Sequence, residues 1–140
     1  MISKDFSVDH IDIINLKLSY PCLFSLKETV FTDYENGDEG RTYIKDDRII
    51  FCCGIRNDKN GVGSCWVIPS IYIDKYKIFF LKELKKLIEE YSKKMNLHRL
   101  YTVVLEEFKD YIEFLEFEKE GKMKKFTSDK KDMLMYARYF

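Results

Sequence analysis

At residue 70 the apolar residues of this chain stop following a β pattern and begin to recur at three- and four-residue steps; near residue 97 the β pattern returns. Tyr76, Phe80, Leu84, Leu87, Ile88, Tyr91 and Met95 carry the helical period, which predicts one buried stripe on a helix over 75–95. Asp74 stands where an N-cap belongs, and Asn96 can take the left-handed conformation that closes a helix. Val62–Ile68 before it and Arg99–Leu105 after it read as strands, rich in Val, Cys, Trp, Tyr and Thr. A strand, a long helix and a strand in that order form a crossover unit, so the two strands are expected to run parallel.

The flanking segments extend this unit. Arg41–Lys45 and Arg48–Arg56 read as strands joined by the polar turn Asp46-Asp47, and the turn Asn57–Gly61 leads into Val62–Ile68. Together they make an antiparallel meander. After Leu105, Glu106 and Glu107 suit a helix N-terminus, where the dipole favours negative charge. Phe108, Tyr111, Ile112 and Leu115 supply that helix's apolar stripe. Phe117–Phe126 and Asp132–Tyr139 form a closing hairpin around Thr127-Ser128-Asp129. The first 35 residues mix both periods around Pro21, with Thr29–Asp33 as a candidate strand. The expectation is one α/β domain over 1–140: a mixed α+β sheet in which an antiparallel meander precedes β-α-β-α-β-β.

Composition narrows the function. Lys+Arg and Asp+Glu number 24 each, so the chain lacks the net positive field that gathers nucleic acid or anionic membrane. No apolar run approaches the ~20 residues that span a bilayer, and Met1–His10 has no signal pattern. A cytoplasmic location is expected. The 22 aromatic side chains, 10 Tyr, 11 Phe and 1 Trp, provide large apolar areas for a core. Cys22, Cys52, Cys53 and Cys65 form no C-x-x-C pair and only two histidines exist, so no metal site is expected. The cysteines read as buried reduced thiols, with Cys52 and Cys53 on opposite faces of one strand.

Three passages carry a resemblance: Tyr43–Gly54, a charged turn leading to a strand that ends in Gly; Ser64-Cys-Trp-Val-Ile-Pro-Ser70; and Tyr111-Ile-Glu-Phe-Leu-Glu-Phe-Glu-Lys-Glu-Gly121. In their order and spacing they resemble the GNAT superfamily of acyl-CoA-dependent N-acyltransferases, over about residues 40–140. More narrowly, Trp66-x-x-Pro69-Ser70 and Tyr111–Phe117 look like small GNAT-like proteins of bacteriophages, some of them virion-associated.

The resemblance implies that the fourth and fifth strands splay and that the pantetheine arm of acetyl-CoA pairs with the backbone of Trp66, Val67 and Ile68. It also implies a pyrophosphate loop of the form Arg/Gln-x-x-Gly-x-Gly/Ala. Here Lys75 and Lys77 fall near the two glycines, Tyr72 falls near the Arg/Gln, and no glycine lies between Gly63 and Gly121. Glycine admits close approach to phosphate where a side chain does not. Weak or absent acetyl-CoA binding is therefore expected, with Lys75 and Lys77 as the remaining phosphate partners. The family's Gly before Phe is replaced by Glu116.

By the same resemblance Tyr111 is the acid that protonates a leaving thiolate, although it also lies on the apolar stripe of its helix. Glu106 and Glu107, at the end of the fifth strand, are the candidate bases for an amine acceptor, on a protein or a small molecule; ordinary helix-start charge accounts for them equally. The acidic run 106–120 precedes a basic run 122–131, an arrangement common on solvated faces. His98 is expected at the surface, and Cys65 is a nucleophile only beside a base. Two functions follow: an N-acetyltransferase with a degenerate pyrophosphate loop, or an inactive GNAT-fold structural or interaction protein, in a phage particle for example.

Overall fold

The computed structural model describes residues 1–7, 9–14 and 38–140. The candidate strand Thr29–Asp33, Pro21 and Cys22 lie outside the described residues. The described chain runs β1 (Ile2–Asp5), α1 (His10–Ile13), β2 (Glu39–Lys45), β3 (Arg48–Asn57), β4 (Val62–Pro69), a 3-10 turn (Ile73–Tyr76), α2 (Lys77–Lys94), β5 (Arg99–Leu105), a second 3-10 turn (Glu106–Phe108), α3 (Lys109–Phe114), β6 (Glu118–Met123) and β7 (Met133–Tyr139). One seven-stranded sheet has the order β1-β2-β3-β4-β5-β7-β6.

β1 to β4 pair antiparallel, β4 and β5 pair parallel, and β7 lies antiparallel to both β5 and β6. The mixed sheet and its parallel crossover are those the period change predicts. Asp46 and Asp47 both have positive φ, 52° and 59°, as the tight turn between β2 and β3 requires. β1, which the sequence left unread, adds an edge strand to β2 through four residue pairs from Ile2↔Ile44 to Asp5↔Arg41.

Two cores flank the sheet. One joins Phe51, Cys53, Ile55, Leu100 and Val104 of the sheet to Phe80, Leu84, Leu87 and Ile88 of α2 and Ile112 and Leu115 of α3. The other, with Phe6, Ile11, Ile14, Ile49, Cys52 and Ile68, lies under α1. Cys52 and Cys53 thus enter opposite cores, because successive residues of a strand face opposite sides. Phe80, Leu84, Leu87 and Ile88 of the α2 stripe are buried as their spacing predicts, Tyr76, Tyr91 and Met95 are half-buried, and Lys82, Lys86 and Glu89 are exposed. Asn96 closes the helix at φ 53°.

Three local expectations change. Asp74 is not the N-cap of α2. The buried Ser70 hydroxyl accepts from the Tyr72 N–H at 3.1 Å and starts a 3-10 turn first, leaving Tyr76 as an N-cap residue with no side-chain cap. The second helix likewise begins as a 3-10 turn, and α3 spans only Lys109–Phe114. The closing strands are shorter than expected because the Asp132 carboxylate accepts from the Lys125 N–H at 2.8 Å, which ties off the hairpin before β7 begins. Glu116 is in the left-handed region, φ 68°.

Candidate active site

The parallel pair β4–β5 holds for only three positions, Val62↔Arg99, Gly63↔Leu100 and Ser64↔Tyr101. Next, the Thr102 hydroxyl donates to the Cys65 carbonyl at 2.9 Å, so a side chain replaces the ladder. Beyond it no ladder pair joins the strands, while β4 stays paired with β3 up to Pro69↔Phe51. The Cys65 carbonyl faces β5, and backbone polar groups alternate sides along a strand. The N–H and C=O of Val67 therefore face the gap as well, and those of Trp66 and Ile68 face β3.

A cavity of about 570 Å³ fills the gap and passes through the sheet. On the helix side its wall includes Cys65, Val67, Ile73, Asp74, Lys77, Phe80, Leu84, Phe108, Tyr111 and Ile112. On the opposite side it includes Arg56, Asp58, Ser64, Trp66, Tyr101 and Val103. Phe126, Thr127 and Ser128 of the β6–β7 turn complete the rim.

The residues expected from sequence separate in space. Trp66, Val67, Lys77 and Tyr111 line the cavity. Lys77 sits between Tyr111 and Asp74: its ammonium is held above its ordinary pKa first by hydrogen bonding to the Tyr111 hydroxyl, then by the charge of Asp74, whose carboxylate is 3.8 Å away. Ile68 is buried in the core under α1 and Lys75 is exposed outside the wall. Glu106 and Glu107 are exposed on the 3-10 turn between two lining residues, Val104 and Phe108, and are not themselves in the wall. His98 is exposed, at the far end of β5, as expected. Burial pushes the Cys65 thiol up to about 12, so it is no thiolate nucleophile. Among the described residues no group of three His, Cys, Asp or Glu could hold a metal ion.

No local pattern marks Asp58, a residue of the Asn57–Gly61 turn, yet it stands in the wall opposite α2. Its carboxylate accepts from the Tyr101 hydroxyl at 2.9 Å and lies 3.5 Å from the Arg56 guanidinium. Burial, then the bond to Asp58, raises the Tyr101 phenol above its ordinary value. Residues 43 apart in sequence meet here only because β3, β4 and β5 lie side by side.

An acyl-CoA would meet two different surfaces in this site. The apolar gap and the Val67 backbone groups, which have no ladder partner among the described residues, fit a pantetheine arm, whose amides can extend a sheet as a peptide does. The turn above does not fit a diphosphate. Its Tyr72, Ile73 and Lys75 N–H groups already donate to the Ser70 hydroxyl (3.1 Å), the Ser70 carbonyl (3.2 Å) and the Tyr72 carbonyl (3.3 Å).

No family model matches the chain, and no curated protein sequence matches it. Solved structures match its fold along nearly its whole length. A ribosomal-protein-alanine N-acetyltransferase from Brucella melitensis superposes with TM-score 0.72 at 12% identity, covering 100% of both chains. An aminoglycoside 6'-acetyltransferase type Ii does so with TM-score 0.70 at 14% identity, over 99% of this chain and 97% of that one. A chimera of the spermidine N-acetyltransferase SpeG from Vibrio cholerae with hSSAT gives TM-score 0.70 at 15% identity, over 99% and 96%. At these identities the likeness establishes architecture: the fold is that of the GNAT acyltransferases.

Proposed function

We propose that the chain is an N-acyltransferase that moves an acetyl group from a pantetheine thioester to an amine. The observation that carries this is the gap between β4 and β5, open through the sheet, where the Val67 backbone has no ladder partner among the described residues. The structural neighbours are named as ribosomal-protein-alanine, aminoglycoside and spermidine acetyltransferases, which supports an amine as acceptor. The likeness of Trp66–Ser70 and Tyr111–Phe117 to small bacteriophage proteins supports a phage-encoded member of that group.

The two mouths of the gap divide the work. A thioester supplies an activated acyl group; the chain's own residues place it and handle protons. Val67 pairs the arm through its N–H and C=O. Tyr111 holds a hydroxyl proton on the helix side of the wall, where a departing thiolate needs one. Asp58 presents the carboxylate of the opposite mouth and binds the acceptor as a cation. Glu106 and Glu107 add negative charge beside the rim.

Purified protein incubated with acetyl-CoA and a panel of amines (a polyamine, an aminoglycoside, a peptide with a free N-terminus) tests this. Thiol release matched by an acetylated amine in the mass spectrum is the expected result. Saturable binding of a pantetheine thioester without transfer to any amine supports the inactive interaction protein instead.

A further inference from the structure

The donor site grips one part of an acyl-CoA and not the other. Below the rim its wall is apolar, with Val67, Ile73, Phe80, Leu84 and Ile112 around the edge of β4 that leaves β5 after Ser64. Above it, the stretch that would have to surround a diphosphate is closed on itself. The Ser70 hydroxyl is buried, donates to the Ile50 carbonyl at 2.7 Å and accepts from the Tyr72 N–H; the Ile73 and Lys75 N–H groups are likewise bonded within the turn. Lys75 and Lys77 put side chains where close approach needs none. Asp74 stands in the wall with the sign of phosphate, and Lys77 is shared between Asp74 and Tyr111. Lys77 and the uncapped start of α2 remain as partners for a single phosphate.

Resting on the acyltransferase reading above, we propose that this site selects the acyl-4'-phosphopantetheine arm and is indifferent to the nucleotide beyond it. The donor class is any phosphopantetheine thioester, whether its phosphate continues into CoA or is esterified to a carrier protein.

Calorimetric titration of the intact chain with CoA, 4'-phosphopantetheine and adenosine 3',5'-bisphosphate tests this. CoA and 4'-phosphopantetheine are expected to bind within about threefold of each other, and the bisphosphate is expected not to compete; each tenfold is about 1.4 kcal/mol. CoA binding tenfold tighter than 4'-phosphopantetheine, or displacement by the bisphosphate, overturns the inference and leaves the acyltransferase reading intact. Failure of both thiols to bind overturns that reading, and the inference with it. A phosphopantetheinylated carrier protein is the fourth probe. If it binds within the same threefold, the proposal stands with a carrier as source; if it is excluded while 4'-phosphopantetheine binds, the proposal stands with CoA as source. Val67→Pro, which removes the N–H facing the gap, should weaken CoA and 4'-phosphopantetheine equally, by about tenfold or more. Val67→Ala, which keeps the N–H and trims only the wall, should weaken both less than Val67→Pro does. Should Val67→Pro fail to fold, the competition between probes on the wild-type chain decides alone.

Discussion

Gly54 lies in the middle of β3, opposite Gly40 on one side and Trp66 on the other. A Cβ built there meets the Glu39 carbonyl oxygen and comes within 2.6 Å of Trp66 Cζ2 and 2.8 Å of Cε2. The carbonyl belongs to the backbone of β2 and cannot rotate away; the indole can yield only by leaving its edge contact with Phe6, 4.7 Å between centroids. Gly54→Ala therefore sets two effects against each other. Overpacking costs about 1–3 kcal/mol, while loss of glycine's freedom in the unfolded chain returns about 0.4–1 kcal/mol. With a backbone atom in the way the upper part of that range applies, and a net loss of about 2 kcal/mol is expected. Urea denaturation followed by fluorescence measures it directly, because Trp66 is the only tryptophan. The native emission spectrum should shift as well. Repeating the substitution in a Trp66→Leu background, with unfolding followed by far-UV circular dichroism because no tryptophan remains, should recover part of the loss, with a coupling of at least about 0.5 kcal/mol. A loss below about 0.5 kcal/mol with an unchanged spectrum refutes the steric reasoning.

Leu84 is fully buried between α2 and the sheet, so Leu84→Ala should cost about 2–5 kcal/mol in the same titration; a change within about 0.5 kcal/mol would place its face in solvent. If transfer is observed, Tyr111→Phe keeps the ring and removes the hydroxyl, and kcat should fall roughly a hundredfold; an unchanged kcat returns Tyr111 to a packing role. The Arg99 guanidinium donates to both carboxylate oxygens of Glu120, at 2.8 and 2.5 Å, and Tyr139 donates to it as well, lowering the Glu120 pKa from 4.5 to about 2. A depressed carboxylate stabilises the folded state above its unfolded pKa and loses that effect as pH falls through the folded one. The difference in melting temperature between wild type and Glu120→Gln should thus be present above about pH 4.5 and close toward pH 2; a difference that grows on acidification would contradict the sign.

By itself the sequence determined the order of elements from residue 39 onward and which face of α2 is buried, because both follow from local periodicity. Strand and helix impose periods of two and 3.6 on which residues meet the core, and Val62–Leu105 carries both without interruption. Asn96 and the Asp46-Asp47 turn were legible for a similar reason: their conformations belong to single residues. The cavity wall was legible only where it shares a segment with those signals, as at Val67, Lys77 and Tyr111. Its other mouth was not. Asp58 and Tyr101 become partners through the lateral order of three strands, which no local pattern encodes. The end of the β4–β5 ladder after Ser64 was likewise fixed by a contact between residues 37 apart, Thr102 on Cys65. The absence of glycine from 70–77 was plain in the sequence, but only the tertiary structure decided what replaced the loop. Ser70 is buried against Ile50 of β3, its hydroxyl takes the Tyr72 amide, and the Ile73 and Lys75 amides are bonded within the turn.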